Sequence, residues 1–281
     1  RFDIDGLYYD LVWPSPSTNP DHGGYVTEDG KPGRCWPIFA VREIAKRAYV
    51  MYRMHKQETA FIGHCSSNPI ILPILSFCDF ALDGEQFATV LHSYTDQVPL
   101  DKWRTEFTCR QFGMMPLFLP EIQKSGNINY NHTKPEPTAE MAGLTYLHDI
   151  MVWGIWVHPK TMHEYQNAKM AFLAEGDVEF LPYWSNGDVF SSDSESVKIS
   201  AYRKRGACLM MVMNMSTEPV STTLNVNLSA LELDAASLDV KDAVSNEPLT
   251  LAGGKLKMAL QNRRLYMIAI TGESNVTKDA K

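Results

Sequence analysis

One stretch constrains the fold of this chain more than any other: residues 75–87, LSFCDFALDGEQF. Residues 76–82 are mostly apolar and predict a short buried strand, which runs directly into Asp83-Gly84-Glu85. Buried strands of a parallel sheet that end in acids deliver carboxylates to the carboxyl rim of the sheet. The start of the chain repeats this pattern, because residues 4–9 (IDGLYY) are followed by Asp10. A single Asp after a strand more often caps the next segment, but the recurrence predicts a cluster of carboxylates.

Residues 1 to about 180 alternate strands with helices. Further strands are predicted at 59–63, closing on His64, at 114–119, shortly before Glu121, and at 150–155. Helices are predicted after Pro37, after Pro99, and over 138–147 and 160–174. Such alternation is typical of α/β folds with parallel strands and right-handed crossovers. A (β/α)8 barrel of the TIM type needs about 250 residues and eight strands. About five βα units therefore predict the C-terminal portion of such a barrel, without its first strands.

From residue 196 the pattern changes to short strands separated by turn residues, which predicts a small antiparallel β-sandwich. The predicted organisation is thus a partial barrel of catalytic type over 1–190, a C-terminal β-sandwich over 196–271 and a polar tail over 272–281. The strands of the sandwich show no catalytic spacing.

Composition excludes several classes of function. A net charge of −7 and a pI near 5.6 argue against a nucleic-acid partner, and no apolar run is long enough for a membrane span. The five cysteines lack CxxC spacing and the histidines show no paired metal spacing, so no metal is predicted. GxSxG, GxGxxG, P-loop and HExxH motifs are absent from the sequence, and no cofactor is predicted.

Two features concern processing and location. The chain starts with Arg inside a predicted strand, which predicts a processed fragment or a truncated version of a longer protein. An N-terminal fragment of the same precursor, which would supply the missing barrel strands, is then an expected partner. Sequons for N-glycosylation occur at Asn131, Asn214, Asn227 and Asn275, and they favour a secreted, extracellular glycoprotein.

The rim of a parallel barrel gathers the ends of its strands, so residues far apart in sequence are expected to converge there. The candidates are the ionisable groups that follow the first four strands: Asp10, His64, Asp83, Glu85 and Glu121. Residues 83 and 85 face the same side if the chain is extended, and they diverge if Gly84 turns it. Glycoside hydrolysis needs one protonated and one ionised carboxyl group, which two strands of one rim can supply.

The loop over residues 11–36 is predicted to be an ordered part of the site, because it collects aromatic and polar side chains. Trp13 and Trp36 would provide flat apolar platforms for sugar rings, and His22 would contact the substrate. His64 and Glu121 would hold substrate hydroxyl groups.

Four segments carry a resemblance to a known family: GLYYDLVWPSPSTNPDHGG, LSFCDFALDGEQF, FGMMPLFLPEI and HDIMVWGIW. With them, most of residues 1–270 resembles the C-terminal part of glycoside-hydrolase-like proteins related to family 123. The resemblance implies a (β/α)8 barrel followed by an accessory β-domain. It also implies that the first strand here is the fourth of the barrel, with Asp10 at its rim.

The chain departs from that family at its catalytic pair. Family 123 hexosaminidases use an adjacent Asp-Glu pair, whereas Asp10 is followed by Leu11. Substrate-assisted cleavage of an N-acetylhexosamine is therefore not expected. By similarity to retaining barrel glycosidases of the α-galactosidase type, Asp10 would be the nucleophile or stabiliser, and Asp83 or Glu85 the general acid/base.

Two hypotheses follow. The first is a secreted glycoside hydrolase that cleaves oligo- or polysaccharides with Asp10 and either Asp83 or Glu85. The second is a non-catalytic carbohydrate-binding or structural glycoprotein that keeps the glycosidase fold. The strand-end acids favour the first hypothesis, and the missing Asp-Glu pair and the sequons favour the second.

Overall fold

A computed structural model describes residues 4–10, 12–66, 70–87, 92–108, 112–122, 130–174 and 176–273. The chain divides into two compact units, the first made of residues 1–86 and 105–119 and the second of residues 87–104 and 120–281. Over the described residues, none of the helices combines the length and the apolar character that crossing a membrane requires.

The first unit is built on parallel strands that alternate with helices. Its elements are β1 (Gly6–Tyr9), a 3₁₀ turn (Pro20–His22), β2 (Tyr25–Val26), β3 (Pro32–Gly33), α1 (Ile38–His55), β4 (Ala60–His64), α2 (Leu72–Leu75), β5 (Phe80–Asp83) and β6 (Met115–Phe118). Strands β1, β4, β5 and β6 lie side by side in this order and pair in parallel. The predicted strand–helix alternation and the parallel pairing are confirmed for this part of the chain.

The register of these strands aligns their carboxyl ends. Tyr9 is opposite Gly63, His64 is opposite Leu82, and Asp83 is opposite Phe118. Apolar side chains of the strands form the interior, with Phe61 and Leu82 fully buried. The groups that follow β1, β4 and β5 therefore emerge at one edge of the sheet.

The strand predicted over residues 76–82 begins later than expected. The backbone N–H of Ser76 donates to Leu72 O at 2.9 Å and ends helix α2, and β5 starts only at Phe80. The apolar run from residue 70 to residue 77 thus belongs mainly to the helix and its end. A short apolar run fits a buried helix as well as a buried strand, so its pattern does not locate the boundary.

The second unit contains the remaining helices and two antiparallel sheets. Its helices are α3 (Tyr94–Gln97), α4 (Leu100–Lys102), α5 (Pro135–Leu147) and α6 (Pro159–Leu173), with the short strand β7 (Met151–Val152) between the last two. The strands that follow are β8 (Glu179–Leu181), β9 (Phe190–Ser192), β10 (Val197–Lys204), β11 (Ala207–Asn214), β12 (Val220–Val226), β13 (Asp239–Asp242), β14 (Leu251–Ala252), β15 (Lys255–Leu260) and β16 (Leu265–Thr271).

The two antiparallel sheets have the strand orders β13-β16-β11-β10-β8 and β14-β15-β12-β9, and they share one hydrophobic core. Both sheets include strands that precede the predicted start at residue 196, since β8 pairs with β10 and β9 pairs with β12. These strands have only three residues each, and such short segments carry little sequence pattern.

Helix α5 packs against the five-stranded sheet of the same unit and explains why β11 is buried along its whole length. A Cβ at Gly143 would lie 2.5 Å from Met213 Sδ, so the glycine allows the helix to approach the strand closely. Ser200 Oγ also donates to Leu147 O at 2.7 Å. Eleven of the thirteen residues of α5 are buried, as expected for a helix covered on all sides.

The helix predicted after Pro99 is broken into two parts. Helix α4 has three residues, and a π-helical turn follows at Trp103–Phe107. The spacing of apolar residues after Pro99 predicts that Leu100, Trp103 and Phe107 face inward; Trp103 and Phe107 are buried, and Leu100 is partly buried. The apolar spacing thus located the buried side chains, although it did not predict the wider helical turn.

Candidate functional site

The edge formed by β1, β4 and β5 brings together three of the predicted site residues. Asp10 follows β1, His64 ends β4, and Glu85 follows β5. His64 Nδ1 lies 2.9 Å from Asp10 Oδ1, and His64 Nε2 lies 3.2 Å from Glu85 Oε2. The two carboxylates therefore contact opposite nitrogens of one imidazole ring.

The separation of the two carboxylates is limited by these contacts. It cannot exceed the two contact distances plus the width of the imidazole ring. That limit is below roughly 9.5 Å, the upper bound for the catalytic carboxyl pair of glycosidases. The geometry is compatible with a carboxylate pair that acts on one substrate.

The members of this cluster differ in exposure. The side chain of Asp10 is 69% exposed and that of Glu85 is 36% exposed, whereas the His64 side chain is only 5% exposed. The carboxylates can thus reach a ligand, while the imidazole is withdrawn behind them. His64 was predicted to hold substrate hydroxyl groups, and its burial favours a role in orienting the carboxylates instead.

Tyr8, which is not among the ionisable candidates predicted for the rim, is a fourth member of the cluster. Its hydroxyl donates to Asp10 Oδ1 at 3.1 Å and lies 2.7 Å from His64 Nδ1. Partial burial, together with the hydrogen bond to Asp10, raises the pKa of Tyr8 to about 12. The hydroxyl is therefore protonated at neutral pH and remains a donor. Its spacing of two residues from Asp10, on one side of an extended chain, is the signal that identifies it.

Asp83 and Glu85 diverge, which resolves the alternative left open by the sequence. Gly84 lies between them with a φ of 122°, a backbone conformation that favours glycine. Asp83 is 7% exposed, and its Oδ1 accepts a hydrogen bond from the Gly84 N–H at 2.7 Å. Asp83 therefore stabilises the turn, whereas Glu85 faces His64.

Ser66 is another contributor that the sequence analysis missed. The backbone N–H of Glu85 donates to Ser66 Oγ at 3.2 Å, and Ser66 is buried just beyond the end of β4. This hydrogen bond ties the segment after β5 to the segment after β4. A serine two residues after a strand is too common a feature to predict such a role.

The predicted aromatic platforms lie in the same unit. Trp13 and Trp36 pack edge to face, with ring centroids 5.4 Å apart, and Trp36 is 49% exposed. The segment between them contains the 3₁₀ turn and the β2–β3 hairpin, so part of it has regular structure. His22 ends the 3₁₀ turn, and its side chain lies outside the described part of the structure.

Glu121 belongs to the second unit. It is 3% exposed and has a positive φ of 37°, which is uncommon for a residue other than glycine. Its predicted contact with substrate stays a prediction.

The four predicted glycosylation sites differ in accessibility. Asn227 is exposed and Asn131 is partly exposed, while Asn275 lies outside the described residues. Asn214 is fully buried, and its Nδ2 donates to Glu218 O at 2.7 Å. The folded chain leaves no room for a glycan on this side chain, so the expectation at Asn214 is corrected.

This chain is similar to known proteins in its structure but not in its sequence. No family model matches the sequence, and no curated protein matches it significantly. Similar solved structures are glycoside hydrolases. They include an α-amylase from Anoxybacillus, with a TM-score of 0.50 and 12% identity over 84% of this chain and 57% of that one.

Two further similar structures are a GH27 β-L-arabinopyranosidase from Geobacillus stearothermophilus and an α-amylase from Lactobacillus plantarum. The former has a TM-score of 0.48 and 10% identity, and the alignment covers 87% of this chain and 54% of that one. The latter has a TM-score of 0.48 and 11% identity, and the alignment covers 95% and 62%. The chain thus spans little more than half the length of these three proteins. At such low identity, the similarity to the Anoxybacillus structure concerns the fold only.

Proposed function

We propose that this protein is a glycoside hydrolase that cleaves bonds of oligo- or polysaccharides with Asp10 and Glu85 as its carboxylate pair. The observation that carries the proposal is the contact of both carboxylates with the two nitrogens of His64. The parallel sheet and the similar structures, which are glycoside hydrolases, agree with such an activity. The finer assignment to a family related to family 123 rests on the four sequence segments that carry the resemblance.

Glu85 is preferred to Asp83 as the general acid/base. A carboxyl group that gives a proton to a glycosidic oxygen must reach the substrate, and Glu85 is the more exposed of the two. Asp10, which is more exposed still, is then the nucleophile or the stabiliser of positive charge on the sugar ring. Asp83 supports the turn that positions Glu85.

The contacts of His64 indicate how the cluster orients its carboxylates. If Nδ1 of His64 carries hydrogen, it donates toward Asp10, and the Tyr8 hydroxyl can donate to the same carboxylate. Nε2 of His64 lies 3.2 Å from Glu85 Oε2 and is not aligned for a hydrogen bond. Glu85 therefore lies beside the ring, and its partly exposed carboxyl group can reach the oxygen of a leaving group.

The sugar platforms of the proposed site are Trp13 and Trp36. Aromatic faces pack against the apolar faces of sugar rings, and the half-exposed Trp36 offers such a surface. We retain His22 as a candidate substrate contact, and the role of Glu121 stays a prediction from the sequence. Asp10, Glu85 and the two tryptophans all belong to the first unit.

The proposal includes a larger assembly and a location. In a (β/α)8 barrel each strand has two neighbours, whereas β1 pairs with β4 alone among the described strands. An N-terminal fragment of the same precursor would supply the further barrel strands beside β1. The sequons at Asn131, Asn227 and Asn275 support the proposal that the protein is a secreted glycoprotein.

One observation favours a second candidate function, binding of carbohydrate without hydrolysis. The His64 ring lies directly between the two carboxylates, where hydrolysis requires access to the glycosidic bond. If the ring stays there when sugar is bound, the exposed carboxylates hold hydroxyl groups and no bond is cleaved.

An activity assay with matched variants tests the proposal. Release of reducing ends from starch, xylan and other neutral polysaccharides would be measured for the wild type, Asp10→Asn and Glu85→Gln. Each substitution should lower turnover by about 10²- to 10⁴-fold. Asp29→Asn is the control, since Asp29 is an exposed acid of the same unit whose partners are Thr27 and Lys31. Unchanged turnover in Asp10→Asn or Glu85→Gln would contradict the proposal, and binding without turnover in the wild type would favour the second candidate.

A further inference from the structure

The second unit contains a cleft of about 840 Å³ that is separate from the cluster around His64. It lies between the first turns of α5 and α6 on one side and the β13–β14 and β15–β16 connections on the other. Its volume falls within the roughly 300–1,000 Å³ that is typical of small-molecule sites. No residue of the cleft was among the site residues predicted from the sequence.

One wall of the cleft is fixed by a polar network that extends from the exposed Asp96 to the buried Glu140. Arg263 Nη1 donates to Ser93 Oγ at 2.8 Å and to Asp96 Oδ2 at 2.9 Å, and Nη2 donates to Asp96 Oδ1 at 2.5 Å. Ser93 Oγ in turn donates to Glu140 Oε1 at 2.5 Å, and Glu140 is 3% exposed. The guanidinium and the carboxylate are thus held in place before any ligand arrives, which lowers the entropic cost of binding.

Tyrosines contribute a second kind of surface to the lining. Tyr130 and Tyr165 are 7% and 6% exposed, and Tyr165 donates to Leu265 O at 3.1 Å. Burial raises the pKa of both phenols, so they remain neutral hydrogen-bonding groups at physiological pH. The hydroxyl of Tyr266 accepts a hydrogen bond from the Gln261 N–H at 2.9 Å, which fixes the position of the side chain. The Arg264 guanidinium lies 5.8 Å from the centroid of the Tyr266 ring.

The charges of the lining restrict the chemistry of a ligand. Five carboxylates and two guanidinium groups line the cleft: Glu136, Glu140, Glu164, Asp242, Glu247, Arg263 and Arg264. Excess carboxylates disfavour a phosphate or another anion, and the two arginines disfavour a compact cation. An apolar ligand would leave these charged groups without water. A neutral molecule rich in hydroxyl groups both donates to carboxylates and accepts from guanidinium and amide groups.

We propose that this cleft binds a neutral oligosaccharide, and that it does so independently of the carboxylate pair. The preformed Arg263–Glu140 wall provides fixed polar groups, and the partly exposed ring of Tyr266 provides a flat surface against which a sugar ring can pack. The inference goes beyond the proposed hydrolysis and does not depend on it, because the residues that carry it belong to the second unit.

A printed array of neutral malto-, xylo- and other oligosaccharides would test the binding, followed by titration of the best ligand. Ser245 is an exposed residue of the lining, so Ser245→Trp should fill the cleft and weaken binding by at least roughly tenfold. Thr250→Trp is the matched control, because Thr250 is exposed on the same connection and does not line the cleft. The double variant Asp10→Asn, Glu85→Gln should still bind the oligosaccharide in the cleft.

The outcomes are distinct. The inference is overturned if the wild type binds none of the sugars, or if Ser245→Trp binds as the wild type does. It is also overturned if binding disappears in the double variant but survives in Ser245→Trp, a result that leaves the proposed carboxylate site standing. If Ser245→Trp does not fold, as judged by circular dichroism, Arg264→Ala replaces it. Arg264→Ala should then lower the affinity for the oligosaccharide roughly fivefold, and an unchanged affinity would overturn the inference.

Discussion

His64 Nε2 lies 3.2 Å from Glu85 Oε2, within ion-pair distance but without the alignment of a hydrogen bond. The opposite nitrogen of the same ring contacts Asp10. This relationship links two acids that are 75 residues apart in the sequence through one buried side chain. A change on either carboxylate is therefore expected to affect the other through the position of the imidazole.

The first prediction concerns His64. We expect His64→Gln to lower kcat/KM by about 100-fold, because the glutamine cannot contact and orient both carboxylates as the imidazole does. The pH profile of kcat/KM should also change on its acid limb, which reports the essential groups of the free enzyme. Steady-state kinetics from pH 4 to pH 9 on the best substrate would measure both effects.

A control in the same unit separates this role from general damage. His55 is exposed at the end of α1, so His55→Gln should leave both the rate and the pH profile unchanged. If His64→Gln lowered the rate but kept the wild-type profile, His64 would be a packing residue only, and its role in orienting the carboxylates would be contradicted.

The second prediction concerns the turn that directs Glu85. Gly84 has a φ of 122°, and a Cβ at this position would lie 2.7 Å from Leu119 O and 2.8 Å from Phe118 Cε2. Gly84→Ala should therefore reduce the free energy of unfolding by on the order of 3 kcal/mol. It should also lower activity, because the backbone must shift next to Glu85. Urea denaturation and the activity assay would measure the two effects.

Gly30 offers a matched comparison, since its φ is 77° but a Cβ there would meet no atom within 4 Å. Because of backbone strain alone, Gly30→Ala should reduce the free energy of unfolding by only about 1–2 kcal/mol. It should not lower the activity. Equal destabilisation by the two substitutions would show that the close contacts at Gly84 are not important.

The convergence of the strand ends could be predicted from the sequence because parallel pairing places them at one edge whatever their exact boundaries. Apolar runs that stop at Asp10, His64 and Asp83 were sufficient to locate the cluster. The conformation of Gly84 was not predictable in this way. Glycine permits both the extended and the turned chain, so the choice between Asp83 and Glu85 needed coordinates.

Other features escaped prediction for different physical reasons. The wall formed by Arg263, Ser93 and Glu140 joins segments that are far apart in sequence, and no local pattern reports such contacts. Burial of Asn214 depends on β11 being covered on both faces, which follows from the packing of α5. A sequon consists of only three residues, so it cannot indicate whether a helix such as α5 packs over the strand that contains it.

The third prediction concerns the sequons and follows from burial. In a eukaryotic secretory host, Asn227 should carry a glycan, because its side chain is exposed. Asn214 should carry none, because its amide nitrogen is buried and donates to Glu218 O. Peptide mass spectrometry after enzymatic deglycosylation in heavy-oxygen water would measure the occupancy of each site. Substantial occupancy of Asn214 in folded, secreted protein would contradict the burial described here.

The fourth prediction concerns stability at acid pH and His148. Burial lowers the pKa of His148 to about 4, although its Nδ1 contacts Leu144 O at 2.6 Å. In the unfolded chain, the imidazole of His148 binds a proton below the ordinary histidine pKa of about 6.5. In the folded chain, the same imidazole stays neutral until about pH 4. The free energy of unfolding should therefore fall as the pH drops from about 6.5 to about 4. At roughly 1.4 kcal/mol per pKa unit, the loss is about 3 kcal/mol.

Comparison with His148→Asn isolates this contribution from other titrating groups. The asparagine amide can still donate to Leu144 O but does not titrate, and its smaller size weakens the stacking on Trp103 and Trp184. The variant should be less stable than the wild type at pH 7, and the difference should shrink by about 3 kcal/mol near pH 4. Urea denaturation followed by tryptophan fluorescence would measure the free energy of unfolding of both proteins at each pH.

His163→Asn is the control, because His163 is exposed on α6, and its free energy of unfolding should have the wild-type pH dependence. If the difference in the free energy of unfolding between His148→Asn and the wild type were the same at all pH values, His148 would not be the source of the loss of stability at acid pH.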